Sequence, residues 1–143
     1  MEKTFQIINT ASVQAGSEML SLRRFVKMSS GKLAYCGANQ KAIGVIGTEA
    51  AQGEMAPVIT HGIAILEVGS GGVTENGYVT SDANGKAVAV ADVAVTIPEG
   101  ATPVTSTGAQ PTLVVAGGTL PVKINGLALE TVSEGGTVRV ILQ

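Results

Sequence analysis

The chain has 143 residues and a formal net charge of −2 at pH 7, and only 14% of its residues are charged, against about 25% in an average soluble domain. One Cys and one His exclude a disulfide scaffold and a closed zinc site, which needs about four ligands. No apolar run reaches the roughly 18 residues of a membrane span, and the start lacks the features of a signal peptide. Scarce basic and aromatic residues argue against nucleic-acid binding. We therefore expect one domain that binds neither membrane nor nucleic acid.

The first predicted element is an N-terminal arm, residues 1–23, which we expect to be partly extended. Its apolar residues include Phe5, Ile7 and Ile8.

Charge is unevenly distributed along the chain. Residues 1–41 carry six basic and two acidic groups, net +4, whereas residues 42–143 carry three basic and nine acidic groups, net −6. One interpretation is a basic N-terminal face that docks on an acidic partner surface. The other is a solvated strand edge that is protected by the charges of Arg23, Arg24, Lys27 and Lys32.

Residues 24–143 are predicted to form a single all-β domain, because 19 Gly, five Pro and many Val and Thr are typical of short strands joined by tight turns. Residues 24–28 and 32–36 flank Ser29-Ser30-Gly31, which predicts a hairpin with a three-residue loop. Apolar spacing over residues 17–28 also fits a helix, but its second half overlaps that hairpin. We expect helix to be a minor component.

Two further strand pairs follow in the chain. Residues 56–60 and 62–68 are apolar runs that separate near His61-Gly62, and they predict two core strands. Residues 78–81 and 86–90 flank an Asn-Gly turn, which predicts a second hairpin.

An internal similarity links residues 44–59 to residues 126–141 at a constant offset of 82 positions. Both segments have the pattern strand, acidic turn, Gly, strand. The identical positions are Gly44 and Gly126, Gly53 and Gly135, Val58 and Val140, and Ile59 and Ile141. Duplication and convergence on one turn geometry both explain the pattern, which we take as evidence of geometry.

The stretch of residues 98–121 is rich in Pro, Gly and Thr and predicts a long connection. Long loops are usually functional or disordered, so this connection is either a surface loop with an edge hairpin or an arm that reaches a partner.

Few residues of the sequence could take part in catalysis or bind a ligand. His61 and Cys36 have no adjacent catalytic partner in the sequence, and Gly69-Ser70-Gly71-Gly72 lacks the Lys-Ser/Thr end of a phosphate-binding loop. The acidic residues do not form a calcium loop. We therefore predict a protein that is not an enzyme and has no catalytic residue, cofactor or metal.

Several segments in serial order resemble the capsid decoration, or cement, proteins of tailed bacteriophages. The resemblance covers residues 24–90 and 124–142, and each piece is a Gly and β-branched pattern. Among the pieces are Ala51-Gln52-Gly53-Glu54-Met55-Ala56-Pro57-Val58, Val73-Thr74-Glu75-Asn76-Gly77-Tyr78-Val79-Thr80-Ser81-Asp82 and Val138-Arg139-Val140-Ile141-Leu142, and their serial order carries the resemblance. Residues 91–123 are longer than the family pattern, and residues 1–23 do not match it.

The resemblance implies a small β-barrel or jelly-roll-like domain that is made in the bacterial cytoplasm and binds the outer surface of the mature capsid. There it would bridge neighbouring major capsid protein subunits as a homo-oligomer, either a dimer or a trimer. Phe5, Ile7, Ile8, Arg23 and Arg24 are the expected contact residues. The alternative is a receptor- or carbohydrate-binding β-domain displayed on the virion, although four aromatic residues offer little for a sugar platform.

Overall fold

The computed structural model describes residues 3, 6–91 and 123–143, and these residues contain nine strands and no helix. All strand pairs are antiparallel. The strands are β1 (Gln6–Gln14), β2 (Phe25–Ser29), β3 (Lys32–Tyr35), β4 (Gly44–Ile46), β5 (Met55–Glu67), β6 (Tyr78–Ser81), β7 (Ala87–Ala89), β8 (Gly126–Ala128) and β9 (Thr137–Leu142). The all-β prediction is therefore confirmed for the described residues, and none of them lies in a helix that could span a membrane.

The strands form one curled sheet in the order β3-β2-β4-β5-β9-β8-β6-β7, with β1 paired to β5 beside this path. The sheet is a half-barrel. The expected closed barrel is wrong, because the path ends at β3 and β7, which do not pair with each other. The jelly-roll-like arrangement is not confirmed and stays a prediction.

Part of the predicted N-terminal arm belongs to the sheet. Residues 6–14 form β1, which pairs with the first half of β5 from Gln14↔Met55 to Gln6↔Ile63. Phe5 lies outside the described residues.

Both predicted hairpins are present. The turn between β2 and β3 has two residues instead of three, since Ser29 pairs with Lys32. Ser30 and Gly31 have φ of 50° and 78°, as a type I′ turn requires. In the β6–β7 hairpin, Asp82 Oδ1 accepts hydrogen bonds from the backbone N–H groups that follow it in the turn.

The two expected core strands around His61-Gly62 are one continuous strand, β5, of 13 residues. Gly62 has φ of 111°, and a Cβ at this position would lie 2.3 Å from the Gln6 carbonyl oxygen. The register of β1 against β5 shifts here. The glycine therefore permits a bulge at which β5 bends without ending.

The similarity at offset 82 corresponds to two equivalent hairpins, β4–β5 and β8–β9. Val45 pairs with Ile59 as Leu127 pairs with Ile141, and Ile46 pairs with Val58 as Ala128 pairs with Val140. The identical glycines have identical roles: a Cβ on Gly44 or Gly126 would collide with the strand opposite, and Gly53 and Gly135 have φ of 80° and 82°.

The structural repeat is larger than this similarity. Repeat 1 comprises β1 to β4 and the first half of β5, and repeat 2 comprises the second half of β5 and β6 to β9. Equivalent pairs in the two repeats are Gln14↔Met55 and Glu67↔Thr137, Val13↔Ala56 and Leu66↔Val138, Phe25↔Val45 and Tyr78↔Leu127, and the bridges Ala15↔Leu33 and Val68↔Ala87. Repeat 2 follows repeat 1 by 53 positions through β2, by 54 positions in β3 and by 82 positions from β4 onward. The two repeats share β5.

Each repeat has its own apolar core. The core of repeat 1 consists of Ala15, Leu20, Val26, Leu33, Ile46, Ala50, Ala56 and Val58. The equivalent residues of repeat 2 also pack together: Val68, Val73, Val79, Ala87, Ala128, Val132, Val138 and Val140. The second core contains, in addition, the residues Phe25, Val45 and Ile59 from the opposite face of repeat 1. The two repeats are therefore packed one upon the other, with one face of repeat 1 covering the core of repeat 2.

The chain from residue 90 to 125, between β7 and β8, is equivalent to the connection of residues 36–43 in repeat 1. The connection in repeat 2 is much longer than the one in repeat 1. Its residues 92–122 include the predicted long connection at 98–121 and are outside the described residues.

Candidate interaction surface

The seam between the two repeats is held by an ion-pair cluster. Arg24 Nη2 lies 2.7 Å from Glu67 Oε2, and Lys86 Nζ lies 2.9 Å from Glu67 Oε1. Arg24 belongs to repeat 1, whereas Lys86 belongs to repeat 2. The hydrogen bond from Lys86, followed by the charge and hydrogen bond of Arg24, holds the pKa of Glu67 below its usual range in spite of partial burial.

We expect Glu67→Gln to lower the free energy of unfolding at pH 7 by about 1 kcal/mol, since the cluster is partly exposed. The folded pKa of Glu67 is depressed, so its contribution is complete above the unfolded value near 4.5 and is lost as pH falls through the folded value. Urea unfolding of both proteins between pH 3 and 7 measures this. Glu49→Gln, which removes an exposed carboxylate from the loop between β4 and β5, is the control. A constant difference across the range would contradict the assignment.

The structure places the predicted contact residues in different surroundings. Ile7 and Ile8 lie near the start of β1 and are 42% and 73% exposed. Arg23 is exposed and has a positive φ of 63°, and its carbonyl oxygen accepts a hydrogen bond from Glu67 N–H. Arg24 is engaged inside the molecule, at the seam. The isoleucines and Arg23 therefore flank the same strand, β5, whereas Arg24 serves the fold.

Strand β1 has an open outer edge. Ile63 pairs with both Gln6 and Ile141, so β1 and β9 occupy opposite edges of β5. Within the described residues, the outer side of β1 has no strand partner along Gln6–Gln14. This strand has no charged residue and no proline, the usual means of protecting an edge. It is suited to pairing with another chain.

A second exposed apolar group was not identified from the sequence. Tyr78 pairs with Leu127, which in turn pairs with Ile141, so the three side chains are cross-strand neighbours on β6, β8 and β9. Tyr78 is 51% exposed and Ile141 is 37% exposed. Large apolar side chains in a row on one sheet face are typical of a protein contact.

Cys36 and His61, the candidate reactive residues, are not assembled into a reaction centre with each other. Cys36 is buried, burial raises the pKa of its thiol, and its Sγ donates a hydrogen bond to the Gln40 carbonyl oxygen at 3.3 Å. His61 is exposed, with its Nδ1 3.1 Å from Thr60 Oγ1. Within the described ranges, no group of three or more His, Cys, Asp or Glu residues could hold a metal ion.

An open groove of about 710 Å³ lies beside the β2–β3 turn and is lined by small and polar residues. The charged groups among its lining residues are Glu18 and Lys32.

Neither a protein family nor a curated protein sequence matches this chain. Among solved structures, the chain is similar to the crystal structure of the head fiber gp8.5 N base of bacteriophage phi29. The TM-score is 0.64, the sequence identity is 16%, and the similarity covers 94% of this chain and 95% of the other. The two chains share a fold along nearly their whole lengths.

Proposed function

We propose that this chain is a structural protein of a bacteriophage virion, which binds the outer surface of the mature capsid and holds neighbouring major capsid protein subunits together. The observation that carries the proposal is the shared fold with a head fiber base over 94% of the chain. A weakly charged β-domain with two exposed apolar groups and without an assembled reaction centre in its described part is consistent with this role. In the proposal the protein is not an enzyme.

A protein that binds only the mature lattice stabilises it by mass action. Many copies share the outward pressure of the packaged DNA, so each contact can be modest, and a homo-oligomer adds avidity. The binding free energy that each copy must supply is therefore small enough to come from a small exposed apolar surface.

The proposed capsid contact is the start of β1, with Ile7, Ile8 and the exposed Arg23. Two isoleucines that become buried at an interface contribute about 2–3 kcal/mol. The open edge of β1 supplies backbone hydrogen bonds in addition. Arg24 is not part of this contact because it pairs with Glu67.

The experiment is co-sedimentation of the purified protein with mature, undecorated shells of its phage over a range of protein concentrations, with immature shells as the control. Saturable binding confined to mature shells supports the proposal and gives the number of copies per shell. Absence of binding overturns it and makes a receptor- or carbohydrate-binding domain the leading function.

The double substitution Ile7→Lys with Ile8→Lys is expected to weaken shell binding by roughly 30-fold or more, since it removes about 2–3 kcal/mol of apolar burial. Both side chains are exposed, so the fold should be unchanged. The matched control is Met19→Lys, which replaces another exposed apolar residue, 60% exposed and outside β1. Equal binding of the double variant and the control would remove the start of β1 from the contact.

A further inference from the structure

The same structural face is buried in repeat 1 and exposed in repeat 2. In repeat 1 this face consists of Phe25, Val45 and Ile59, which are 1%, 1% and 6% exposed because they cover the core of repeat 2. The equivalent residues of repeat 2 are Tyr78, Leu127 and Ile141, and we call them the rear face of repeat 2. They are the exposed apolar row described above, and within the described residues they have nothing to cover.

On the opposite face of the sheet, the residues of repeat 2 are buried and the equivalent residues of repeat 1 are more exposed. Ala64, Leu66 and Ser81 of repeat 2 are 0%, 0% and 1% exposed, because repeat 1 lies against them. Their equivalents in repeat 1 are Ala11, Val13 and Met28, which we call the open side of repeat 1. Ala11 is exposed, Val13 is half-buried and Met28 is 43% exposed. Among the described residues, none covers the core of repeat 1 as repeat 1 covers the core of repeat 2.

Two equivalent glycines also show that repeat 1 covers repeat 2 and is not itself covered in the same way by the described residues. Gly31 and Gly85 occupy equivalent turns and have φ of 78° and 73°. The Gly85 carbonyl oxygen accepts a hydrogen bond from Phe25 N–H, and a Cβ at Gly85 would lie 2.5 Å from the Phe25 carbonyl oxygen. A Cβ at Gly31 would have no neighbour within 4 Å. Within the part of the chain that the structure describes, no residue takes the equivalent place in repeat 1 that Phe25 takes at the seam.

We propose that a second copy of this chain fills that space: the rear face of repeat 2 of one molecule packs on the open side of repeat 1 of the next, and the contact repeats the internal seam. The two surfaces are different, so the association is head-to-tail and generates a ring or a linear chain. The argument comes from the internal repeat alone and does not depend on capsid binding.

The contact between molecules differs from the internal seam in its charge. The positions equivalent to Arg24 and Glu67 are Gly77 and Gln14, so the ion pair of the seam has no counterpart. Association is therefore driven by apolar burial. It should be weaker than the internal seam, dependent on concentration and nearly insensitive to salt.

The test is sedimentation velocity of the full chain from about 1 to 100 µM, without shells. Wild type should form assemblies larger than a monomer. Tyr78→Lys on the rear face and Ala11→Lys on the open side should each raise the dissociation constant by roughly 100-fold, because each places a charge in an apolar contact. Ser133→Lys, which adds the same charge on an exposed turn, should assemble as wild type does.

Mixing the two variants distinguishes a head-to-tail contact from a symmetric one. Tyr78→Lys retains an intact open side and Ala11→Lys retains an intact rear face, so an equimolar mixture should form a 1:1 dimer that neither forms alone. Thermal unfolding of each variant verifies its fold, and Ile141→Lys replaces Tyr78→Lys if that variant fails to fold. A monomeric wild type at 100 µM, assembly by Tyr78→Lys at wild-type strength, or no dimer in the mixture would each overturn the proposal.

Discussion

Gly44→Ala is expected to destabilise the fold by about 3 kcal/mol, because the added methyl group meets backbone as well as side chain. A Cβ at this position would lie 2.3 Å from the Ile59 carbonyl oxygen and 2.8 Å from Val58 Cγ1. Movement of one strand against the other would break the short β4–β5 ladder. The same substitution at the equivalent Gly126 would place a Cβ 2.3 Å from Val140 Cγ1 and should have a similar effect.

Gly47→Ala is the matched control for both substitutions. A Cβ at Gly47 has its nearest neighbour at 3.5 Å, an ordinary van der Waals distance, and the residue has no positive φ. Its free energy of unfolding, measured in urea, should remain within about 0.5 kcal/mol of wild type. If Gly44→Ala and Gly47→Ala had the same stability, the close approach of β4 and β5 would be wrong.

Phe25→Ala is expected to destabilise the fold by about 3–5 kcal/mol, since Phe25 has the largest fully buried side chain among the described residues and lies in the contact between the two repeats. Tyr78→Ala, at the equivalent position of repeat 2, should cost less than about 1 kcal/mol in the monomer because Tyr78 is half exposed. The difference between these two substitutions follows from the packing of one repeat upon the other.

Equilibrium unfolding in urea at low protein concentration measures both values on the monomer. Repeating the measurement of Tyr78→Ala at high concentration connects stability to self-association, because a bound second copy stabilises the folded state. Similar costs for Phe25→Ala and Tyr78→Ala in the dilute protein would contradict the assignment of Phe25 to the seam.

The hairpins could be predicted from the sequence because their turns are local. Ser30-Gly31 and the Asp82 turn specify positive φ or side-chain hydrogen bonds within four residues. The closed barrel could not be tested in this way, since closure depends on whether β3 reaches β7, a pairing between strands that are distant in sequence. The sequence predicts a break between two strands at Gly62, whereas in the structure Gly62 allows one strand to bend. A glycine is compatible with both, so the sequence could not distinguish them.

The part of the internal repeat that comprises β1 and β2 was not detected in the sequence, because few of its residues are identical to the equivalent residues of repeat 2. At an offset of 53, the identities between β1–β2 and the equivalent segment of repeat 2 are Ala11 and Ala64, Gly16 and Gly69, Ser17 and Ser70, and Val26 and Val79. The longer chain between β7 and β8 then changes the offset to 82. One constant offset therefore could not connect the two halves of the repeat.

The candidate contact residues were only partly accessible to sequence reasoning. The apolar character of Ile7 and Ile8 was visible, and the structure leaves both exposed. The partner of Arg24 was not visible, because Glu67 is 43 positions away and reaches it only when the repeats pack together. Tyr78 could not be distinguished from a core residue, since its exposure depends on which repeat lies over which.

The sharing of β5 by both repeats has a consequence for the kinetics of folding. Neither repeat can complete its sheet without β5, and β1 and β9 pair with that strand from the two ends of the described chain. Loops of many tens of residues must close before these contacts form, so folding should be slow for a domain of this size, on the order of milliseconds to seconds. The repeats should also fold together in a single step, since a chain with only one of them formed would leave half of β5 without its neighbours.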